Sequence, residues 1–214
     1  MRTKRISKTA PKQRSTRAKT PDVRRALTVL IHGSLNQHAM WYQSGGLLYE
    51  FLQNEIYRGE ALLPFQWSGG MMPQEFATAA SDLIVAVQQR EPLDILRIVC
   101  HSNGANVANL ATRPGIIPLH PGLKPCTIVY MSPSARREFL PHLPNILSQR
   151  VFNFRPRLFD EILDPLGLPK TYTGTPLGTL EEEVFVGPTG HWTPIWPIVW
   201  RTHSLKQRVR QVCR

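Results

Sequence analysis

Three short stretches bring together residue types that can break an acyl bond. In "LRIVCHSNGAN", Ser102 follows an apolar run, and Gly104 stands two positions after it. A serine hydroxyl attacks a carbonyl carbon when a base removes its proton and the oxygen is held clear of its neighbours. A sharp strand-to-helix turn exposes the oxygen in this way. Such a corner needs small residues two before and two after the serine, where strand and helix pack closely. Gly104 meets one requirement and Cys100 is small enough for the other. A serine at this kind of boundary reads equally well as a helix N-cap. The stretch alone does not separate the two.

A base and an acid must then be found downstream. The general base at neutral pH is most often histidine, whose ordinary pKa lies near the working pH. Of the seven histidines, two lie after the last predicted strand and far beyond Ser102; His203 falls in the presumed terminal helix, which leaves His191 in the loop "VFVGPTGHW". His32 is read as a structural residue bonding within its own loop. The acid orients the base and steadies its positive charge. Asp160 in "RLFDEILDPLG" is preferred because it lies closer to a strand end. Asp164 precedes a proline and fits a turn or cap as well, and Glu161 is a weaker rival. Negative charge on a tetrahedral intermediate calls for two preorganised N–H donors. The backbones of Asn103 and of Ser34, in "VLIHGSLNQHAMW", are assigned to this role, with Leu35 as the fallback for Ser34.

The elements that must position these residues are legible as alternating patterns. Apolar, β-branched runs predict strands in "RALTVLIHG", "LLPFQWSG", "LDILRIVCH", "CTIVYMSPS", "RVFNFRPR" and "EEEVFVG". Helical spacing joins Leu47, Leu48, Phe51, Leu52 and Ile56. The same spacing joins Phe76, Ala80, Leu83, Ile84 and Val87. A third helix starts near Gly104, and a last one, distorted by Pro197, closes the chain. This alternation predicts an α/β class with a mostly parallel central sheet and helices on both faces. In such sheets functional residues gather past the carboxyl ends of strands, where every candidate above is found.

The blocks "LTVLIHGSLNQHAMWY", "FQWSG", "CHSNGANVANLA", "FNFRPRLFDEIL" and "GHW" resemble successive segments of α/β-hydrolase-fold serine esterases and lipases. The likeness is to small bacterial lipase-like hydrolases with an HGT-type oxyanion loop, and it spans roughly residues 26 to 200. It implies Ser102 as nucleophile, Asp160 as acid and His191 as base, with Ser34 and Asn103 at the oxyanion hole. It also implies a small-molecule or lipid-like ester substrate and no metal or organic cofactor. Two residues depart from the pattern: Asn103 replaces a bulkier residue after the serine, and Cys100 replaces glycine or alanine. Only residues 133–150 and 164–180 are candidates for a lid, so the lid is expected to be minimal.

Charge divides the chain into a tail, residues 1–25, and an α/β-hydrolase domain, residues 26–214. The net charge is +11, yet residues 1 to 25 hold ten of the 26 Lys and Arg with a single acid, Asp22. The rest, with 16 basic and 14 acidic residues, is near balance. A basic segment almost devoid of apolar residues is expected to be disordered. Through residues 1–22 it would make weak, salt-dependent contact with polyanions or an anionic membrane. The balanced body argues against nucleic-acid binding as the main function. No apolar run is long enough to cross a bilayer, and three separated cysteines suit a cytoplasmic location. The pattern says nothing about oligomeric state. The competing expectation is a hydrolase-fold protein without turnover, acting as a binding or scaffold module with a polyanion-binding tail.

Overall fold

The computed structural model describes residues 25–90, 92–112, 125–134, 150–155, 160, 180–185 and 190–210. The tail up to residue 24, Glu161, Asp164 and nearly all of both lid segments lie outside the described residues. Among the described residues, six strands carry the fold: β1 (Ala26–Ile31), β2 (Ala61–Phe65), β3 (Ile95–His101), β4 (Pro125–Met131), β5 (Arg150–Arg155) and β6 (Leu180–Phe185). They form one sheet in the order β2-β1-β3-β4-β5-β6. Every pairing is parallel. β2 carries Pro64, which has no N–H to donate, and its place at the outer edge of the sheet tolerates that loss.

Among the described residues, five α-helices cover the sheet: α1 (Leu47–Phe51), α2 (Pro73–Gln88), α3 (Gly104–Ala111), α4 (Pro197–Thr202) and α5 (Leu205–Arg210). Side chains alternate across the pleat, and this alternation builds two cores. Leu27, Val29 and Ile31 of β1 join Leu96, Ile98 and Cys100 of β3 under α2 and α3. Leu30, Val99, Val129, Met131, Phe152 and Phe154 point to the other face, against Phe51 of α1, Trp200 of α4 and Leu205 and Val209 of α5. Strands buried on both faces read as continuous apolar runs, as "ALTVLI" does. The α2 stripe is buried as its spacing predicts, with Ala79 added to it. Truncating the fully buried Phe76 to alanine would cost about 3–5 kcal/mol.

Two local readings need correction. The predicted helix after Gly46 runs regularly only to Phe51 and then widens into a π turn over Leu52–Ile56, closed by the Tyr57 N–H on the Leu52 carbonyl at 2.7 Å. Pro197 does not distort a helix but starts one, since the first helical position needs no N–H. Ser204, at φ 54°, then breaks the chain between α4 and α5. Among the described residues, no helix is long and apolar enough to cross a membrane.

Candidate active site

The strand order places the site. β1 is followed in space by β2 on one side and by β3 on the other, so the chain reverses its direction of winding between β1 and β3. Loops leaving the carboxyl ends of two such strands diverge and open a crevice between them. Gly33 and Ser34 leave β1 there, and Ser102 leaves β3.

Ser102 sits in the left-handed region at φ 50°, a conformation that costs a non-glycine residue about 1–2 kcal/mol. It does not cap the helix. Asn103 occupies the N-cap position of α3, without a side-chain capping bond. The Ser102 hydroxyl makes no hydrogen bond among the described residues. Its main chain is held instead: the Ser102 N–H donates to the Met131 carbonyl at 3.0 Å, and its carbonyl accepts from Ala105 at 3.1 Å. The expected tight approach at Gly104 is real, and Gly33 supplies a second one. A Cβ on Gly104 would lie 2.5 Å from the His32 carbonyl oxygen, and one on Gly33 would lie 2.7 Å from the Ser102 Cβ. Cys100 is fully buried, with its thiol 3.5 Å from the Val129 carbonyl, and burial pushes that thiol up, away from the thiolate.

Asp160 and His191 follow β5 and β6, and both are buried. His191 Nδ1 lies 2.9 Å from Asp160 Oδ2. A carboxylate only accepts, so Nδ1 carries the proton and Nε2 is left as the basic nitrogen. The His191 ring centroid is 4.8 Å from that of His101, the residue just before Ser102. The structure therefore brings Asp160 and His191 against His101, next to the serine.

His101 was not singled out by its sequence position, yet it packs at the centre of this cluster. It stacks on Trp192 at 4.8 Å and meets Trp41 edge-on at 5.6 Å. His101 Nε2 donates to the His191 carbonyl at 3.2 Å, and its buried Nδ1 has no partner among the described residues. Burial above all, with His191 nearby, holds its pKa down to about 3, so the ring stays neutral. Both ring nitrogens of His32 are used, one within its own loop and one by Trp67. Its Nδ1 donates to Gly33 O at 2.6 Å, its Nε2 accepts from Trp67 N at 3.2 Å, and burial lowers its pKa. Trp67 is core: its indole donates to the His32 carbonyl at 3.0 Å.

The backbone donors divide cleanly. The Leu35 N–H is taken by the Gly69 carbonyl at 2.9 Å. The Ser34 and Asn103 N–H groups have no acceptor among the described residues. Side chains link these two residues, since Asn103 Nδ2 donates to Ser34 Oγ at 3.0 Å, which donates to Gly70 O at 2.9 Å. The site thus combines a serine, a buried histidine–carboxylate pair, and two backbone N–H groups with no acceptor among the described residues.

No family model matches the chain, and no curated protein matches it in sequence. Solved structures do. Est1E from Butyrivibrio proteoclasticus superimposes with a TM-score of 0.57 at 11% identity, over 87% of this chain and 88% of that one. A predicted CIB-like hydrolase from Thermoplasma acidophilum gives 0.54 at 17% identity, over 88% and 89%. The RedJ thioesterase from the prodiginine pathway of Streptomyces coelicolor gives 0.51 at 14% identity, over 90% and 92%. At such identities the likeness is one of architecture, and together with the parallel sheet it shows that this chain has the α/β-hydrolase fold.

Proposed function

We propose that the chain is a serine hydrolase that cleaves carboxylic esters, with Ser102 as nucleophile, His191 as base and Asp160 as the residue that orients it. His191 Nε2 takes the Ser102 proton as Oγ bonds to the carbonyl carbon. The oxygen that gains the negative charge is received by the Ser34 and Asn103 N–H groups. His191 then gives its proton to the departing alkoxide, the ester C–O bond breaks, and the acyl group stays on Ser102. Water attacks this acyl-enzyme, loses a proton to His191, and the acid leaves as Ser102 Oγ regains it. Asp160 stays ionised throughout and stabilises the imidazolium.

The observation that carries this reading is the buried Asp160–His191 hydrogen bond, set beside a left-handed serine at the β1/β3 crevice. A catalytic hydrogen bond that is open without substrate commonly tightens in the complex, so the unengaged Ser102 hydroxyl is compatible with it. The mouth suggests the substrate class. Residues 32–49 and 61–74 contain no Asp, Glu, Lys or Arg. Leu35, Met40, Met71 and Met72 stand exposed on these segments. Such a collar suits an uncharged ester with an apolar acyl group, and methionine adapts to varied chains.

One observation favours a second reading, a hydrolase-fold binding module without turnover, tethered through residues 1–22. That observation is the Ser102 hydroxyl without a hydrogen bond. Hydrolysis of p-nitrophenyl butyrate separates the two. Turnover that disappears in Ser102→Ala supports the enzyme, whereas equal rates in the two proteins, or none in well-folded wild type, support the module.

A further inference from the structure

Asn106 is a polar residue of α3, a helix buried nearly all round, with Ala105, Val107, Ala108 and Ala111 as its buried apolar residues and Asn109 as a second buried amide. Asn106 is fully buried itself, a position that disfavours an amide unless its groups find partners. Asn106 Nδ2 donates to the Ser134 carbonyl at 2.8 Å and to Asn103 Oδ1 at 3.0 Å. Asn103 Nδ2 donates to Ser34 Oγ at 3.0 Å, and Ser34 Oγ donates to Gly70 O at 2.9 Å. The orientation of every group in this chain is forced. A main-chain carbonyl only accepts, so Ser134 O fixes the Asn106 amide, which fixes Asn103, which leaves Ser34 to donate to Gly70 O. The run crosses the carboxyl ends of β4, β3, β1 and β2 in turn, and it passes through Ser34 and Asn103, whose backbone N–H groups have no acceptor among the described residues.

We propose that Asn106 is a positioning residue that, by way of the Asn103 side chain and Ser34, locks the two oxyanion donors at a fixed separation. This rests on the ester-hydrolase reading above. The Ser34 loop and the α3 N-terminus belong to different elements, and this side-chain run joins the two donor residues directly. A shift of about an ångström between donor and oxyanion is enough to lose much of the stabilisation. Hydrogen bonds that all run in one direction also polarise each other and resist partial opening.

The near-isosteric Asn106→Asp reverses the chain. A carboxylate cannot donate to Ser134 O or to Asn103 Oδ1, so the Asn103 amide must turn over. Ser34 must then donate to Asn103 and abandon Gly70 O. The expected result is a fall in kcat of about tenfold to a hundredfold for p-nitrophenyl butyrate, with KM within about twofold. The affinity for phenylboronic acid, whose tetrahedral serine adduct needs the same donors, should fall by a similar factor. In an Asn103→Ala background Asn106→Asp should have no further effect on kcat, because the link is already cut. Equal kcat in Asn106→Asp and wild type would overturn the proposal, as would losses that multiply in the double variant. Should Asn106→Asp fail to fold, Asn103→Ala alone must lower kcat with KM retained, and an unchanged kcat overturns the proposal. Ser102-dependent turnover in wild type with an unaffected Asn106→Asp would sink this lock alone. Absence of such turnover in wild type would sink the hydrolase reading with it.

Discussion

The two ends of the sheet are built on opposite terms. At the amino end, charges are closed by opposite charges. Arg25 grips Asp94 through its main-chain N–H at 2.8 Å and its guanidinium at 3.3 Å. Arg97 pairs with Glu60 and lies 4.9 Å over the Tyr57 ring. The carboxyl end instead holds three left-handed non-glycine residues, Leu35, Ser102 and Ser132, and a neutral buried histidine with an orphaned nitrogen. It also holds glycines against which no Cβ fits. Strain of this kind persists only where the surroundings over-determine it, and in open parallel sheets that is the working end. The amino end holds the fold together, and the carboxyl end spends part of that stability on geometry.

Exchanging a carboxylate at each end should give the largest contrast. Asp160→Asn leaves the packing intact but lets His191 take the wrong tautomer, and kcat should fall by about four orders of magnitude. Asp94→Asn breaks a half-exposed pair and should cost less than about 1 kcal/mol, with kcat unchanged. Steady-state kinetics beside urea unfolding measures both. Comparable losses of kcat from the two variants would erase the distinction between the ends.

Next in size is Gly104→Ala. Its methyl meets the His32 and Ile31 carbonyl oxygens at 2.5 and 3.0 Å, main-chain atoms that cannot swing aside. A loss of about 1–3 kcal/mol is expected in the urea midpoint. A stability equal to wild type would mean that the corner is loose.

How much of this was legible in the residues depends on the range of the signal. The β1 and β3 runs and the α2 stripe declare themselves because a strand or helix buries its own repeat. Chain order brought Asp160 and His191 into view, and nearness to a strand end gave Asp160 only a narrow preference over Asp164. Among the described residues, the 2.9 Å contact with His191 favours Asp160. The π turn after Phe51 depends on one i to i+5 bond that helical periodicity does not encode. His101 and Asn106 went unnoticed because their partners, His191 and Ser134, lie far away along the chain. A polar residue between Ala105 and Val107 was the available clue to the second. Cys100, an apparent defect at the corner, is a buried core side chain whose thiol rests near the next strand.

The smallest expected effect concerns pH. His101 keeps a folded pKa of about 3, against 6.5 ordinarily, so below pH 6.5 the unfolded chain binds a proton that the folded chain refuses. Stability is therefore fully present above pH 6.5 and declines as pH falls toward 3. Between pH 6.5 and 5.5 the loss should stay under about 1.4 kcal/mol. In His101→Gln the profile should flatten across this window, as read by urea midpoints at each pH. An unchanged slope would mean that other groups carry the dependence.

The central claim, that Ser102 is an activated nucleophile at the working end of the sheet, is tested most directly by covalent labelling. Folded protein is treated with a fluorophosphonate, and the adduct is located by peptide mapping in a mass spectrometer. The account predicts one equivalent of label on Ser102. Folded protein that takes no label, or label on any other serine, would contradict it.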